Sequence, residues 1–453
     1  MSRTATAGTA ADGKMPPGPK GRLLTGSLRD FGRDSLRFIQ GMSQAYGDVV
    51  CYRIATMWWY QVNHPDGVRR VLQENNHNYP KSNLTRSILT PVLGNGLLTS
   101  EGGLWLRQRR LMQPAFHRRR VAAFGGIMTD ATLSMLDRWA PMAESGTQVD
   151  VSAEMTRLTL QVASESLFHA HAGEEPAVVA AAVKTLVEEV NYRYQVPFYP
   201  PQSVPIPRNR KMRSALRTLD RAVYTIIDEH RRWGEGDDLL SLLMETRDAD
   251  TGEATNDRQL RDEVITLFIA GHETTSSALS WAFFLLSNHP EVEHRLRAEL
   301  DEVRGPDAGR VPDVEDLPRL KYTGMVIEET MRLYPPAWIF DRQAVADDEV
   351  RGYRIPAGAT VMISPYVLHR HPDFWERPHE FDPERFSPEG SAGRPRYACF
   401  PFGGGPRQCI GKAMALVEAQ LILATVMPRF RLVSSRPMNP SRLSPCALAP
   451  ASR

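Results

Sequence analysis

The stretch that decides the fold reads Phe402-Gly403-Gly404-Gly405-Pro406-Arg407-Gln408-Cys409-Ile410-Gly411-Lys412, a glycine-rich bend that leads directly into the apolar, helix-forming stretch from Ala413 to Met427. Cys409 therefore lies just before a helix N-terminus. A helix N-terminus, free backbone N–H groups and a nearby cation stabilise a thiolate, and Arg407 supplies the positive charge. Gly411 offers no side chain where a flat cofactor would approach. The pattern predicts a metal-bound thiolate with a lowered thiol pKa.

Other glycine-rich loops fit these residues less well. A phosphate-binding loop ending at Lys412 would need glycine at Pro406 and a hydroxyl at Ala413. A dinucleotide-binding fingerprint would need glycine at Gln408. Two interpretations of Cys409 stay open, a nucleophile whose histidine base is brought near by the fold and a buried structural cysteine.

The pattern F-x-x-G-x-R-x-C-x-G, filled by Phe402, Gly405, Arg407, Cys409 and Gly411, resembles the haem-binding signature of the cytochrome P-450 family. The resemblance implies haem b (iron protoporphyrin IX) as cofactor and Cys409 as the axial thiolate and metal ligand. It further implies that Arg407 pairs with a haem propionate, that Phe402 packs over the proximal side and that Gly411 adjoins the cofactor. A thiolate axial ligand pushes electron density onto iron and favours O–O cleavage.

A second motif, Ala270-Gly271-His272-Glu273-Thr274-Thr275, lies in the middle of an almost uninterrupted helical pattern. We expect a helix from about Asp257 to Pro290, roughly 45 to 50 Å long at 1.5 Å per residue, capped by Asn256 or Thr255. A threonine hydroxyl can bond the carbonyl four residues earlier and bend a helix, which would open a groove for O₂ and water.

This motif is similar to the oxygen-activating motif [AG]-G-x-[DE]-T-[TS] of the same family. The resemblance implies that Glu273 and Thr274 are a catalytic acid–alcohol pair that delivers protons during dioxygen activation. It also implies that Ala270 and Gly271 face the haem, and we place His272 beside the haem plane with at most a hydrogen-bonding role. A solvated polar patch on an amphipathic helix is the structural alternative.

A third element is a predicted ion pair on one helix. Glu329 and Arg332 are three residues apart and lie on the same helix face, where they can pair. By resemblance to the E-x-x-R helix and the downstream P-x-R-F segment of the family, they engage Arg385. We interpret these three residues as a structural clasp and not as catalytic groups.

Candidate propionate partners come from two further segments. Trp105 and Arg109 are four residues apart, so an indole N–H and a guanidinium fall on one helix face. They match the W-x-x-x-R helix of the family. Arg342 resembles the arginine that binds a propionate from the first sheet. The alternatives are a core tryptophan and surface arginines.

Length and composition favour one large, mostly α domain with a smaller β-rich part. No Gly/Ser linker, acidic tail or internal repeat divides the 453 residues, so we expect a flexible tail over residues 1–14 and a single haem domain over residues 15–453. Hairpin-like pieces are predicted at residues 48–54 and 353–363.

The remaining composition limits the class of protein. The four cysteines show no C-x-x-C spacing, which argues against a zinc site and a disulfide framework. The polar N-terminus and the absence of a long apolar run predict neither a signal peptide nor a membrane span. A net charge of +2 gives no general case for nucleic-acid binding. We expect a soluble, bacterial-type, cytoplasmic and monomeric member of the family.

Electrons are expected from a separate protein. The chain carries no second cofactor motif, so family analogy implies a ferredoxin or flavodoxin with its reductase. A basic region could steer an acidic donor, although an ordinary solvated face explains it equally well. Its members are Arg107, Arg109, Arg110, Arg118, Arg119, Arg120, Arg407 and Lys412.

The substrate is predicted only as a class. The expected pocket is mostly apolar and aromatic, which implies an apolar small molecule of terpenoid, fatty-acid or polyketide type. Its predicted members are Phe268, Ile269, Ala270, Ala337, Trp338, Ile339, Phe340 and parts of the loop at residues 82–98. The proline-rich residues 196–207 are a candidate access lid.

The function implied by these motifs is a monooxygenase that uses O₂ and two electrons to hydroxylate or epoxidise its substrate. The expected setting is bacterial secondary or lipid metabolism. The first alternative is a peroxygenase or isomerase of the same fold, and such members tend to lack the acid–alcohol pair that Glu273 and Thr274 supply. The second is a non-enzymatic haem-thiolate carrier or sensor, which usually carries a signalling domain.

Overall fold

The computed structural model describes residues 14–168, 176–196, 199–233, 238–245, 252, 255–307, 309–434 and 446–450. Helices dominate these residues and short strands form a smaller β-rich part, so the predicted fold class is confirmed. The predicted N-terminal tail lies, apart from Lys14, outside the described residues. No helix within these ranges is both long and apolar enough to span a bilayer.

The helices account for most of the described chain. In chain order they are α1 Leu28–Arg33, α2 Ser35–Tyr46, α3 Pro65–Arg69, α4 Asn83–Leu93, α5 Gly102–Met112, α6 Arg118–Ala123, α7 Gly125–Glu144, α8 Val151–Phe168, α9 Pro176–Gln195, α10 Pro207–Trp233, α11 Leu239–Glu245, α12 Asp257–Asn288, α13 Pro290–Arg304, α14 Lys321–Leu333, α15 Pro365–Leu368 and α16 Lys412–Val426. Short helical turns, Arg70–Glu74, Asn76–Asn78, Gln113–Phe116, Pro383–Phe386, Arg396–Ala398 and Gly405–Arg407, connect them.

The strands form three small sheets. They are β1 Val49–Ile54, β2 Met57–Val62, β3 Gln148–Val149, β4 Phe340–Gln343, β5 Asp348–Val350, β6 Tyr353–Ile355, β7 Thr360–Ile363, β8 Phe430–Ser434 and β9 Cys446–Pro450. The largest sheet has the order β1-β2-β7-β4, in which β2 and β7 are parallel and the other pairs antiparallel. The other sheets are β3-β9-β8 and the pair β5-β6.

The two predicted hairpin pieces have different outcomes. The first is strand β1, which pairs with β2 in register Cys51↔Tyr60. The second piece is not a hairpin, because β6 pairs with β5 while β7 pairs with β2 and β4. The alternation of apolar residues predicted strands there but contained no information about which distant strand each one joins.

Helix α12 confirms the long predicted helix. Asn256 caps it by accepting a hydrogen bond from the Gln259 N–H at 3.0 Å. It ends at Asn288, and Pro290 starts helix α13 where the missing N–H is harmless. Its 32 residues span about 48 Å at 1.5 Å per residue.

The main hydrophobic core lies among the helices and surrounds α12, with buried side chains from residue 92 to residue 432. Two smaller clusters lie on either side of the four-stranded sheet. Helix α12 packs against α8 on one side and against α14 and α16 on the other. The glycine-rich loop precedes α16, so the packing of α16 on α12 fixes the position of the loop relative to the helix that carries the second motif.

Candidate active site

The loop that carries Cys409 is held by its own backbone. The Cys409 N–H donates to the Phe402 carbonyl at 3.0 Å, which closes the bend. Gly405 has φ +67°, and a Cβ there would lie 1.8 Å from the Leu72 carbonyl oxygen. Glycine is therefore required at this position both by the backbone conformation and by the close approach of the Arg70–Glu74 turn.

The protein shifts the pKa of the Cys409 thiol in the direction opposite to the predicted one. The residue keeps exposed surface, yet protein surrounds the sulfur on most sides, and this burial raises the thiol pKa. Hydrogen bonding from the Gly411 N–H, the charges of Arg109 and Lys412, and the Lys412 N–H oppose the rise. The predicted net lowering of the pKa by protein groups is therefore wrong, because desolvation outweighs the dipoles and cations.

Arg407 is also not the cation that acts on the thiol. Its guanidinium pairs with the Glu101 carboxylate, donates to the Ser100 carbonyl at 3.0 Å, and lies over the Trp105 ring at 4.3 Å. These contacts place Arg407 and Trp105 together, on the side of the loop that faces the start of α5.

Arg109 connects helix α5 to the thiolate loop. Its Nη1 donates to the Gln408 carbonyl at 2.9 Å, and burial lowers its pKa while Cys409 raises it. Trp105 and Arg109 therefore both contact the loop, as their shared helix face suggested. Their proposed contact with a carboxylate of the cofactor stays a prediction.

Three cations lie beside this loop, and the sequence predicted two of them. Lys81, Arg342 and Arg407 are here called the basic cluster, and burial lowers the pKa of all three. The charges of Arg342 and Arg407 further lower the pKa of Lys81, and the charge of Arg407 further lowers that of Arg342. The pKa of Arg342 falls to about 10, mainly because of burial. Lys81 was not predicted, because it follows Tyr79-Pro80 in a segment without periodicity and joins the other two only in the fold.

The basic cluster tests whether the site fits a haem. Glu101 and Asp341 are the acidic groups that act on the cluster, so three cations face two carboxylates. Lys81 and Arg342 are largely enclosed by protein but keep partly exposed surface, so a ligand can still reach them. Clustered, largely desolvated cations are stabilised by an anionic ligand. The residues present therefore fit a cofactor that carries carboxylates.

The second motif presents two residues to an accessible space. Ala270 and Thr274 are exposed although their neighbours on the long helix α12 are largely buried, and residues four apart share a helix face. The Thr274 hydroxyl donates to the Ala270 carbonyl at 2.7 Å, as its position predicted. Helix α12 is continuous through these residues. This face provides a small apolar surface next to a hydroxyl group.

Glu273 keeps accessible surface and has a raised pKa. The side chain is partly buried, and this burial raises its pKa to about 7. A carboxyl group with this pKa is protonated in about half of the molecules at neutral pH. Such a group can donate and accept a proton under the same conditions.

The opposite face of the motif packs against helix α8. Phe268 is 3% exposed and its ring centroid lies 4.8 Å from that of Phe168, so most of its surface packs against protein and its role in the pocket stays a prediction. His272 is buried, and its Nδ1 lies 2.7 Å from the Phe268 carbonyl oxygen. A Cβ on Gly271 would lie 3.8 Å from the Ala163 Cβ. Helical geometry turns these residues away from Ala270, and contact of Gly271 with the cofactor stays a prediction.

The clasp residues meet as their spacing suggested. Arg332 donates to both Glu329 carboxylate oxygens, at 2.6 and 2.7 Å, and both side chains are fully buried. Arg385 Nε lies 3.5 Å from the same carboxylate. Arg332 also donates to the His369 and Pro378 carbonyls, at 2.8 and 2.7 Å. The clasp thus ties α14 to the segments that precede the thiolate loop.

The remaining pocket residues divide by burial. Ala337 is exposed, while Ile269, Trp338, Ile339 and Phe340 are partly buried. Trp338 and Ile339 pack on the cluster beside β1 and β2, and Phe340 meets Phe400 edge-on at 6.3 Å. Leu98, within the predicted loop, is 39% exposed. The candidate lid at residues 196–207 includes residues 197 and 198, which lie outside the described residues.

An exposed basic surface adjoins the thiolate loop. A Cβ on Gly411 would lie 3.9 Å from a ring carbon of Phe116, so the segment that precedes α6 lies beside the loop. Arg110, Arg118 and Arg119 are exposed around this segment, and α6 packs on α16. These three residues are here called the arginine face.

Comparisons with known proteins agree with this geometry. The family model Cytochrome P450 matches residues 16–450. Among solved structures, the heme domain of cytochrome P450DA superimposes with a TM-score of 0.87 at 26% sequence identity, covering 97% of this chain and 98% of that chain.

Three curated relatives come from Streptomyces. Cyclooctatin synthase of Streptomyces melanosporofaciens is 38% identical, covering 94% of this chain and 91% of the relative. Cyclooctat-9-en-7-ol 5-monooxygenase of the same organism is 37% identical, with 94% and 90% covered. Pentalenene oxygenase of Streptomyces avermitilis is 36% identical, with 95% and 92% covered. The chain therefore belongs to the cytochrome P450 family and is a haem-thiolate monooxygenase.

Proposed function

We propose that this monooxygenase hydroxylates or epoxidises a cyclic terpenoid, with Glu273 and Thr274 as its proton-delivery groups. The observation that carries the proposal is the accessible face of α12, where the Thr274 hydroxyl adjoins Ala270 and a carboxyl whose pKa is about 7. The substrate class is supported by the names of two relatives, which describe oxygenation of cyclooctat-9-en-7-ol and of pentalenene.

The same proposal assigns the residues that hold haem b. Cys409 would ligate the iron, while the basic cluster (Lys81, Arg342, Arg407), together with Trp105 and Arg109, would bind the two carboxylates. Phe402 and Gly411 would adjoin the proximal side. Among the described residues, and apart from its neighbours in sequence, only Phe116 and Cys409 have atoms within 4 Å of a Cβ on Gly411. Bound haem supplies the activation of dioxygen. The main core, which spans residues 92–432, supports a single haem domain over residues 15–453.

Proton delivery uses two adjacent side chains of α12. The Thr274 proton is directed to the Ala270 carbonyl, so the hydroxyl oxygen keeps lone pairs for a water or another proton donor. Glu273 holds a proton on its carboxyl at about neutral pH and can release it to the Thr274 oxygen through water. The exposed surface of Ala270 leaves room for small molecules on this face.

Removal of the hydroxyl tests proton delivery. Thr274→Ala should still consume reductant with substrate present, but the yield of oxygenated product per reductant should fall severalfold, because protons arrive without direction. Thr274→Ser is the matched control and should keep most of the yield. Intact coupling in Thr274→Ala would remove Thr274 from the mechanism.

The acidity of Glu273 gives a second test. Coupling in the wild type should fall as pH rises through about 7, because the carboxyl loses its proton there. Glu273→Gln should have lower coupling and no such change between pH 6 and 8. An unchanged pH profile in Glu273→Gln would assign the proton to another group.

The substrate class can be tested by binding. Ala270, Ala337 and Leu98 expose apolar surface near the motif or in the predicted pocket, and apolar surface favours a hydrocarbon skeleton. Spectral titration of the haem-loaded enzyme should show a substrate-type spin-state change with cyclic sesquiterpenes or diterpenes at lower concentration than with lauric acid. The reverse preference would overturn the terpenoid assignment.

A ferredoxin or flavodoxin is proposed as the electron donor. The arginine face adjoins the thiolate loop, and clustered positive charge attracts an acidic partner. Arg118→Glu with Arg119→Glu should slow reduction by the donor at low salt by about tenfold or more, and less at high salt. Arg37→Glu, an exposed change on α2 in the β-rich part, is the control. Equal effects of both variants would exclude the arginine face.

A further inference from the structure

A chain of hydrogen bonds outside the haem residues links three elements of the distal side. The Tyr194 hydroxyl, on the last turn of α9, lies 3.1 Å from Thr85 Oγ1 on α4. Thr85 Oγ1 in turn donates to Asp341 Oδ1 on β4 at 2.8 Å. None of these residues belongs to the family motifs identified in the sequence.

The order of the protons along this chain is fixed by chemistry. An ionised carboxylate only accepts hydrogen bonds, so the single Thr85 hydroxyl proton points to Asp341. Thr85 Oγ1 must then accept the proton of Tyr194. The phenol oxygen of Tyr194 has no second proton, and only its lone pairs are left for a third partner.

The position of Tyr194 is rigid. The neighbouring residue Arg193 is buried and donates from Nε to the Glu189 carboxylate at 2.8 Å. Its Nη2 donates to Asn209 Oδ1 on α10 at 3.3 Å. Asn209 also donates to the carbonyls of Pro201 and Val204, both at 2.9 Å. This network anchors the end of α9, and the hydrogen bond to Thr85 orients the phenol.

The phenol of Tyr194 keeps accessible surface. Tyr194 is 40% exposed, although protein surrounds most of its hydroxyl, and this enclosure raises its pKa to about 12. It is therefore neutral at physiological pH. Helix α4 packs on both α9 and α12, and Asp341 directly follows Phe340 of the predicted pocket. The hydroxyl thus lies among elements that carry residues of the predicted pocket.

We propose that the phenol oxygen of Tyr194 selects substrates that carry a hydroxyl group away from the carbon to be oxidised. The inference rests on the proposed function, because it assumes an otherwise apolar substrate in the distal pocket. An oxygen that only accepts hydrogen bonds favours an alcohol, which donates one, over an ether, a ketone or a hydrocarbon. Asp341 behind Thr85 adds a negative charge that disfavours a carboxylate.

Matched ligands test the selectivity by calorimetric titration of the haem-loaded enzyme. The probes are cedrol, cedryl methyl ether and cedrane, which share one carbon skeleton, and the wild type should bind cedrol best. Tyr194→Phe should weaken cedrol binding about three- to tenfold and leave cedrane binding unchanged, the range expected for one neutral hydrogen bond. Tyr192→Phe, on the same helix, is the control and should change neither.

Whereas Tyr194→Phe should weaken alcohol binding, Thr85→Val should strengthen ether binding. Without the Thr85 acceptor, the Tyr194 proton is released and the phenol becomes a donor. The variant should therefore bind cedryl methyl ether more tightly than the wild type does, while its preference for cedrol shrinks. Unchanged Soret absorption and unfolding temperature confirm that each variant is folded.

The possible outcomes distinguish a failure of the Tyr194 role from a failure of the terpenoid assignment. An unchanged ratio of cedrol to cedrane affinity in Tyr194→Phe would overturn the role of Tyr194 even if both compounds bind. If no cedrane-type compound binds the wild type, the terpenoid assignment fails. The same comparison with dodecanol, methyl dodecyl ether and dodecane then tests Tyr194 independently, and loss of the alcohol preference in Tyr194→Phe would support it. Failure of both sets to bind would overturn both.

Discussion

The clasp and the basic cluster are two groups of largely buried charges. The charges of the clasp are matched by partners within the protein, whereas those of the basic cluster are not. In the clasp, Arg332 donates two short hydrogen bonds to Glu329, and its other N–H groups donate to backbone carbonyls. The basic cluster, in contrast, contains three cations and only two neighbouring carboxylates, and burial lowers the pKa of Lys81 and Arg342.

A structural charge site can therefore be distinguished from a binding site by whether its donors and charges already have partners in the protein. A buried ion pair whose donors are all used has no capacity for a ligand, and its removal should only destabilise the fold. A cluster that retains excess charge and accessible surface is stabilised by the ligand that it binds.

Glu329→Gln should lower the free energy of unfolding by about 3 to 5 kcal/mol, because it leaves Arg332 buried without its counter-charge. Chemical denaturation of the haem-loaded and haem-free protein should show similar losses. A double-mutant cycle with Arg332→Met should give a coupling energy of about 1 to 3 kcal/mol. Independent effects of the two changes would mean that the clasp is not a coupled pair.

Glu418 on α16 is a third case, a buried carboxyl whose Oε1 has no hydrogen-bond partner among the described residues. Burial raises its pKa to about 8. The folded protein therefore holds the proton more tightly than the unfolded chain, and stability falls as pH rises from about 4.5 to 8.

Glu418→Gln removes this pH dependence. It should stabilise the protein by about 2 to 4 kcal/mol at pH 9 and by little at pH 5, where the carboxyl is already neutral. Thermal unfolding of both proteins across this range measures the difference, and pH 5 is the internal control. A gain of equal size at both pH values would show that packing, and not ionisation, is responsible.

Arg342→Met should act in the opposite sense to a clasp variant. The haem-free protein should keep or gain stability, because one of three clustered cations is gone. Haem affinity should fall by about 10- to 100-fold, as expected for the loss of about 1.5 to 3 kcal/mol of charge-assisted hydrogen bonding. Transfer of haem to excess apomyoglobin measures this change. A destabilised haem-free protein with unchanged haem affinity would make Arg342 a second structural charge.

The smallest effect is expected from an exposed pair. Arg69 Nε lies 3.0 Å from the Glu74 carboxylate, and the two side chains are 53% and 43% exposed. Arg69→Met should change the free energy of unfolding by less than about 0.5 kcal/mol, because water screens the pair. A loss comparable to that of Glu329→Gln would show that burial does not control the value of ion pairs in this protein.

The sequence determined those parts of the site that depend on spacing along one segment. The i, i+4 relation of Thr274 to the Ala270 carbonyl and the i, i+3 pair of Glu329 and Arg332 follow from helix geometry alone. The length of α12 and its cap at Asn256 also follow from local rules. These features need no knowledge of the rest of the chain.

Tertiary structure decided which groups meet and what burial does to them. Lys81 joins Arg342 from a distant segment, and Thr85 links Tyr194 to Asp341. The balance at Cys409 was decided in the same way, because desolvation sums over every neighbouring atom and exceeds the nearby dipoles and cations. Partners far apart in sequence and the depth of burial are properties of the packed chain, and no local pattern records them.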